Sequence, residues 1–119
     1  MRKALSENLR RNCEMKMIRS IIRPEKAEVV AEALADAGLT SLTKMHVFGR
    51  GRTKGIRIGD VVYDEFPKTL LLMVVPDENL EKAIQIILEK SKTGTMGDGK
   101  IFITEVEEAY TISSGTKGL

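Results

Sequence analysis

The sequence predicts an α+β fold, a ferredoxin-like βαββαβ sandwich with two helices on one face of a four-stranded antiparallel sheet. Two stretches carry apolar residues at helical spacing, and short apolar stretches precede and follow each of them. A glycine-rich segment without periodicity separates the two halves at residues 48–68. Because such a sheet leaves its second face open, we expect the chain to form an oligomer.

The first half of the chain reads as strand, helix and strand. Residues 17–22 are rich in apolar residues and end near Pro24, which is typical of a strand stopped by proline. Pro24 and Glu25 favour a helix start and Gly38 a helix end. The helix carries one apolar stripe, formed by Val29, Val30, Ala33, Leu34 and Ala37. Residues 41–47 alternate in polarity and predict a strand with one buried face.

The second half repeats this order. Residues 69–75 are continuously apolar, which predicts a central strand covered on both faces. The acidic residues after Pro76 open a second helix with an apolar stripe of Leu80, Ala83, Ile84, Ile87 and Leu88. A glycine-rich loop at 91–100 leads into a final strand at 101–112, and a polar tail follows.

Composition excludes several function classes. The 119 residues suit one domain, and 19 basic against 17 acidic residues leave a net charge of only +2. With three Phe, two Tyr and no Trp, the chain lacks the features of a nucleic-acid binder. Cys13 and His46 are the only residues of their types, so we expect no internal disulfide, no Cys–His or Ser–His catalytic pair and no resident metal.

The first 14 residues differ from the rest, because they are polar and basic and a second methionine follows at Met15. We interpret residues 1–14 as a disordered or misassigned arm and residues 15–119 as the domain. The longest apolar run, 70–75, is too short to cross a membrane, and the N-terminus lacks the apolar core of a secretory signal. These features predict a cytoplasmic protein without stable membrane insertion.

The loop from Gly94 to Lys100 matches the spacing G-x-x-x-x-G-K. Glycines let backbone N–H groups converge on a phosphate, and the lysine adds a charge. However, Ile101 stands where a P-loop has Ser or Thr, and this loop runs from helix to strand instead of strand to helix. The pattern therefore excludes a P-loop NTPase and leaves open both an anion site and a simple turn.

A second candidate lies in the long segment 48–68. Four cations, Arg50, Arg52, Lys54 and Arg57, alternate with glycines, and the downstream half is acidic. Irregular segments of this length are usually functional or disordered. A solvated loop is the simpler interpretation, but the pattern favours a partner-docking finger with phosphate contacts near its base.

Several motifs, in order, resemble the PII signal-transduction family over residues 15–115. The longest is Thr93-x-x-x-Gly97-Asp98-Gly99-Lys100-Ile101-Phe102-Ile103. The others are Ile21-Ile22-Arg23-Pro24, Gly49-x-Gly51-Arg52-x-Lys54-Gly55 and Phe66-Pro67-Lys68. The resemblance implies a trimeric PII-type assembly that binds ATP or ADP (with AMP as a further candidate) in clefts between subunits, Mg²⁺ with ATP, and 2-oxoglutarate with Mg-ATP.

The resemblance also assigns residues. Residues 93–100 would form the B-loop and residues 49–68 the T-loop that meets partner proteins. The implied nucleotide contacts are Thr43, Gly49, Gly51, Arg52, Val74, Gly97, Asp98, Gly99 and Lys100. The implied 2-oxoglutarate contacts are Thr53, Lys54 and Lys68, and the implied docking residues are Arg50, Arg57, Asp60 and Tyr63.

Some positions depart from the family pattern. The T-loop is shorter than in the ammonium-transporter regulators and lacks the tyrosine that is uridylylated there. Thr53 stands where a glutamine usually contacts Mg²⁺ and 2-oxoglutarate, which places 2-oxoglutarate binding in question. Thr111 and Ser113 replace two arginines that often reach the phosphates. The loss of these charge-assisted contacts predicts weaker ATP binding to this chain alone.

The short T-loop and the C-terminal residues most resemble the nitrogenase-associated branch, the NifI proteins, first subunit type. That branch implies a non-enzymatic regulator of nitrogenase components that works with a paralogous PII-like subunit, as a homotrimer or hetero-oligomer. The alternative within the family is control of an ammonium transporter or glutamine synthetase. A small ATP-consuming enzyme and an RNA-binding module are the rivals outside it.

Overall fold

A computed structural model describes residues 14–50, 56–59, 61–63 and 65–119. The predicted arm lies outside the described residues except for Glu14, so that interpretation stays a prediction. Five implied site residues also lie outside them: Gly51, Arg52, Thr53, Lys54 and Asp60.

The order of elements confirms the predicted ferredoxin-like fold. The main sheet contains β1 (Met15–Ile22), β2 (Thr43–Gly49), β5 (Phe66–Pro76) and β6 (Gly99–Val106), and its helices are α1 (Ala27–Asp36) and α2 (Asp77–Ser91). A 3₁₀ turn at Pro24–Lys26 leads into α1. Two small hairpins pair β3 (Ile56–Ile58) with β4 (Val61–Tyr63) and β7 (Tyr110–Thr111) with β8 (Thr116–Lys117). The main sheet has the order β2-β5-β1-β6, and all its pairs are antiparallel.

The core lies between the sheet and the two helices. Alternate residues of β1 and β5 point into it, and β1 pairs Ile18 with Met73 and Ile22 with Thr69. The helices contribute Val30, Leu34, Ala83 and Ile87 as buried partners. No helix among the described residues is long and apolar enough to span a membrane.

Two predictions about strand burial are wrong for the single chain. Strand β5 is central, as predicted, but only its helix-side residues are buried, whereas Leu70, Leu72 and Val74 on the open face are half-buried. Strand β2 lacks the predicted buried face, since residues 43–46 are all exposed. β2 is an edge strand, and the core between the sheet and the helices contains no residue from it.

Two predicted boundaries also differ. The segment 48–68 was expected to be irregular, but β2 extends to Gly49, β5 begins at Phe66, and β3 and β4 form a hairpin between them. The final strand ends at Val106 instead of residue 112, and the polar tail folds back so that Tyr110 pairs with Lys117.

Candidate functional site

The strand register brings the predicted lysines and the 93–98 loop to one end of the sheet. Ile22, the last residue of β1, pairs with Gly99 on one side and Thr69 on the other. The next position along each strand is occupied by Arg23, Asp98 and Lys68, which therefore lie level with one another. We call this end, comprising Arg23, Lys68, Gly97, Asp98 and Lys100, the basic end.

The 93–98 loop is organised around the carboxylate of Asp98. Its Oδ2 accepts hydrogen bonds from the backbone N–H of Thr93 at 2.8 Å and of Gly94 at 2.9 Å, and its Oδ1 accepts one from the Thr93 hydroxyl. Hydrogen bonds from Thr93, supported by those from Arg23 and Gly94, hold the pKa of this carboxyl well below its usual range. Asp98 is therefore an ionised internal clamp of the loop.

Arg23 closes the loop from the side of β1. Its Nε donates to Asp98 Oδ1 at 3.0 Å, and its Nη2 donates to the carbonyl of Met96 at 2.7 Å and to the hydroxyl of Thr95 at 3.2 Å. A Cβ built at Gly97 would lie 3.2 Å from Nη2, so the guanidinium packs directly on the backbone there. Gly97 has φ +95°, which favours glycine.

Lys68 reaches the same loop from β5. Its Nζ donates to the carbonyl of Gly97. Burial, and then the charge of Arg23, lowers the pKa of the Lys68 ammonium below its ordinary value. A negative ligand beside Lys68 would favour its charged form and reverse that shift. The first residue of the T-loop is close by, because a Cβ at Gly49 would lie 3.5 Å from Lys68 Cγ.

Lys100 gives the basic end an available charge. It pairs with Ile21 on the open face of the sheet and is exposed. Within the part of the chain that the structure describes, Lys100 forms no ion pair. Two lysines beside a glycine-rich turn suit a polyanion such as a phosphate chain.

Thr43 and Val74 lie toward the opposite end of the same open face. They line a groove of about 700 Å³ with Tyr110 and Leu119. Val74 and Lys68 are six positions apart on β5, or about 20 Å along an extended strand. The structure therefore divides the implied nucleotide contacts into two groups that one chain does not bring together.

The implied docking residues are only partly described. Arg50 is exposed at the end of β2 and forms no ion pair with any described residue. Arg57 pairs with Val62 across the β3–β4 hairpin, and Tyr63 pairs with Ile56. Among residues 14–50, 56–59, 61–63 and 65–119, no group of three or more His, Cys, Asp or Glu could hold a metal ion.

Sequence reasoning missed Arg23 as a site residue, although Ile21-Ile22-Arg23-Pro24 was one of the motifs that indicated the family. The position of Arg23 directly after β1 indicates a site residue only when β1 is known to lie between β5 and β6. Pro24 then directs the chain into the 3₁₀ turn and leaves Arg23 extended, with φ −63° and ψ 136°, at the end of β1.

Comparison with known proteins identifies the family. The model of the family described as nitrogen regulatory protein P-II matches residues 15–116. The chain belongs to the P-II family. It is 60% identical over 105 residues to a nitrogen fixation nifHD2 region GlnB-like protein 1 of Methanosarcina barkeri, covering 88% of this chain and 100% of that protein. A nifHD region GlnB-like protein 1 of Methanobacterium ivanovii is 56% identical over the same shares of both chains.

A relative with a different description matches less closely. Nitrogen regulatory protein P-II 2 of Methanothermobacter thermautotrophicus is 44% identical over 108 residues, which is 87% of this chain and 94% of that protein. P-II membership thus extends across the whole domain, and the relatives from nitrogen-fixation regions have the higher identities.

Proposed function

We propose that this P-II protein senses adenine nucleotides and, according to their state, regulates nitrogenase without catalysing a reaction itself. The basic end carries the nucleotide part of the proposal, since it combines Lys68, an available Lys100 and a glycine-rich loop. The nitrogenase part is supported by the relatives described as nitrogen fixation nifHD region GlnB-like proteins.

The nucleotide would lie between two copies of the chain or between this chain and a paralogous P-II subunit. Its phosphates would meet Lys100 and the 93–98 loop of one subunit, and its adenine would meet the Thr43–Val74 groove of the next. The separation of these groups along β5 supports this arrangement, because one subunit alone supplies only one half. Half-exposed apolar residues on the open face favour such an assembly.

The second proposed ligand is 2-oxoglutarate, bound together with Mg-ATP. Lys68 is the implied contact that the structure describes, and its lowered pKa indicates a partly sheltered ammonium that a carboxylate would stabilise. Its Nζ would exchange the Gly97 carbonyl for the ligand. Since Gly49 lies beside the stem of Lys68, this exchange would alter the surroundings of the first residue of the T-loop.

Nucleotide binding is tested by isothermal titration with ATP, ADP and AMP, followed by 2-oxoglutarate in the presence of Mg-ATP. We expect Lys100→Gln to weaken ATP binding by roughly tenfold to a hundredfold, because a charge-assisted contact to phosphate is worth about 1.5–3 kcal/mol. Lys90→Gln, which removes an exposed charge from the end of α2, is the matched control. Equal ATP affinity of both variants would contradict a phosphate at Lys100.

Regulation is tested by adding the protein and its paralogue to nitrogenase and measuring acetylene reduction with and without nucleotide and 2-oxoglutarate. We expect Arg57→Glu in the T-loop to abolish inhibition while the oligomer stays intact in light scattering. Lys90→Glu serves as the charge-reversal control. Full inhibition by Arg57→Glu would contradict docking through the basic T-loop, and capture of an ammonium transporter or glutamine synthetase would replace nitrogenase as the target.

A further inference from the structure

We propose that Arg23 is a positioning residue of the 93–98 loop: it neutralises Asp98 and holds residues 95–98 in place without touching the ligand. This inference rests on the proposed nucleotide site at the basic end. It concerns the residue that follows β1, which is remote in sequence from the loop it holds.

The guanidinium of Arg23 spans both sides of the turn. Its Nε is bound to Asp98 on the far side, while Nη2 is bound to Thr95 and Met96 on the near side. A planar guanidinium presents these donors in a fixed geometry, whereas a lysine ammonium is a single point charge on a flexible stem. The two side chains of the ion pair are 26% and 22% exposed, so the pair is partly sheltered from water.

Asp98 has no oxygen left for another strong contact. Arg23 and the Thr93 hydroxyl occupy Oδ1, and two backbone N–H groups occupy Oδ2. A bare carboxylate here would repel the phosphates that the loop is proposed to receive. Within the described residues Arg23 is the only cation paired with Asp98, so it removes this repulsion and leaves Lys68 and Lys100 to attract the ligand.

The donors of Arg23 that the structure records are all turned toward the loop. Nε and Nη2 are bound to loop atoms, and a Cβ added at Gly97 would lie 3.2 Å from Nη2. The guanidinium therefore joins the residues of the turn as a brace. Arg23 would be positively charged both as a brace and as a direct phosphate ligand. The two roles differ in their dependence on Asp98, because only a direct ligand would keep its effect on ATP binding when Asp98 is absent.

A double-mutant cycle distinguishes the two roles. ATP affinity is measured by titration calorimetry for the wild-type protein, Arg23→Met, Asp98→Asn and the double variant, each in its native oligomer. We expect Arg23→Met to weaken ATP binding roughly tenfold in the wild-type background and less than about twofold in the Asp98→Asn background. A tenfold loss that persists without Asp98 would overturn the inference, because Arg23 would then act on ATP binding by a route other than Asp98.

A second readout needs no nucleotide. Amide hydrogen exchange at Thr93 and Gly94, the two donors to Asp98, should become roughly tenfold faster in Arg23→Met and intermediate in Arg23→Lys, which keeps the charge but loses the fork. Lys26→Met, three residues along the chain with no hydrogen bond or ion pair to the loop, should leave both rates unchanged. Unchanged exchange in both Arg23 variants would overturn the inference.

The two experiments together distinguish an error in the proposed function from an error in the role of Arg23. If the wild-type protein binds no adenine nucleotide but exchange at Thr93 and Gly94 accelerates as expected, the proposed function is wrong and the brace stands as a structural element. If ATP binds and exchange is unaffected, the site is correct and the role of Arg23 is wrong. Arg23→Lys keeps the test decisive should Arg23→Met not fold.

Discussion

Each end of the four-stranded sheet carries a partly sheltered ion pair, and the two pairs join different kinds of structural element. At the basic end, Arg23 is bound to Asp98 inside an irregular loop. At the other end, which we call the acidic end (Glu14, Lys16, Asp77, Glu78 and Glu105), Lys16 of β1 is bound at 2.7 Å to Asp77, the first residue of α2. Glu105 of β6 adds a second carboxylate 4.0 Å away.

The difference lies in what remains after each pair has formed. At the acidic end one cation is surrounded by carboxylates, and Asp77 also stands at a helix N-terminus, where negative charge is favourable. At the basic end one carboxylate is satisfied by the loop and by Arg23, which leaves Lys68 and Lys100 as surplus positive charge. The first arrangement fastens three elements together, whereas the second can receive an anion.

The largest effect is expected from Gly99, where the basic end joins β6. Its φ is +108°, and an added Cβ would lie 1.7 Å from the carbonyl oxygen of Ile21. Gly99→Ala must therefore move β6 away from β1, and we expect a loss of about 3 kcal/mol or more in urea unfolding. Gly38→Ala is the control, because Gly38 has φ +86° with nothing within 4 Å. It should lose only about 1–2 kcal/mol, and equal losses would mean that β6 can shift without cost.

A smaller effect is expected midway between the ends. Ser20 of β1 is fully buried, and its hydroxyl has no hydrogen-bond partner among the described residues. Ser20→Ala should raise the free energy of unfolding by about 1 kcal/mol, since a buried hydroxyl without a partner is costly. ATP affinity should not change, because the residue faces the helices. A loss of stability would instead reveal a partner for this hydroxyl.

The smallest expected effects concern how the stability contributed by each ion pair changes with pH. The lowered pKa of Asp98 means that its contribution is present above the ordinary carboxyl value and is lost as the pH falls below about 4. The pKa of Lys16 is raised, chiefly by its hydrogen bond to Asp77, so its contribution is present below the ordinary lysine value and is lost above about pH 10.

Thermal melts of the wild-type protein, Asp98→Asn and Lys16→Gln across the pH range check this contrast. The melting difference between wild-type protein and Asp98→Asn should shrink only in acid. The difference for Lys16→Gln should shrink only in alkali. If both differences stayed constant with pH, neither pair would contribute through its charge.

The sequence predicted the fold because its periodic segments match real elements. Ala83 and Ile87 of the second predicted stripe face the core, whereas Leu88 of that stripe is exposed. The apolar run before Pro76 is a central strand, as predicted. The prediction that one face of β2 is buried was wrong. Alternating polarity indicates that a strand has two different faces, but it does not show whether another element covers either face. Lys68 and Lys100 could be predicted as site residues from local motifs and the family resemblance. The role of Arg23 could not, because it depends on the pairing of β1 with two strands that are distant in sequence.

The central claim is that the two ends differ in ligand binding, and amide chemical shifts on titration with ATP test it most directly. We predict saturable shifts at residues 94–100, Lys68 and Thr69 from the phosphates and at the Thr43–Val74 groove from the adenine, with none at the Lys16–Asp77–Glu105 cluster. Lys100→Gln should move the same shifts to higher ATP concentration. Shifts at the Lys16–Asp77–Glu105 cluster as large as those at residues 94–100, or none at residues 94–100 when ATP is saturating, would contradict the account.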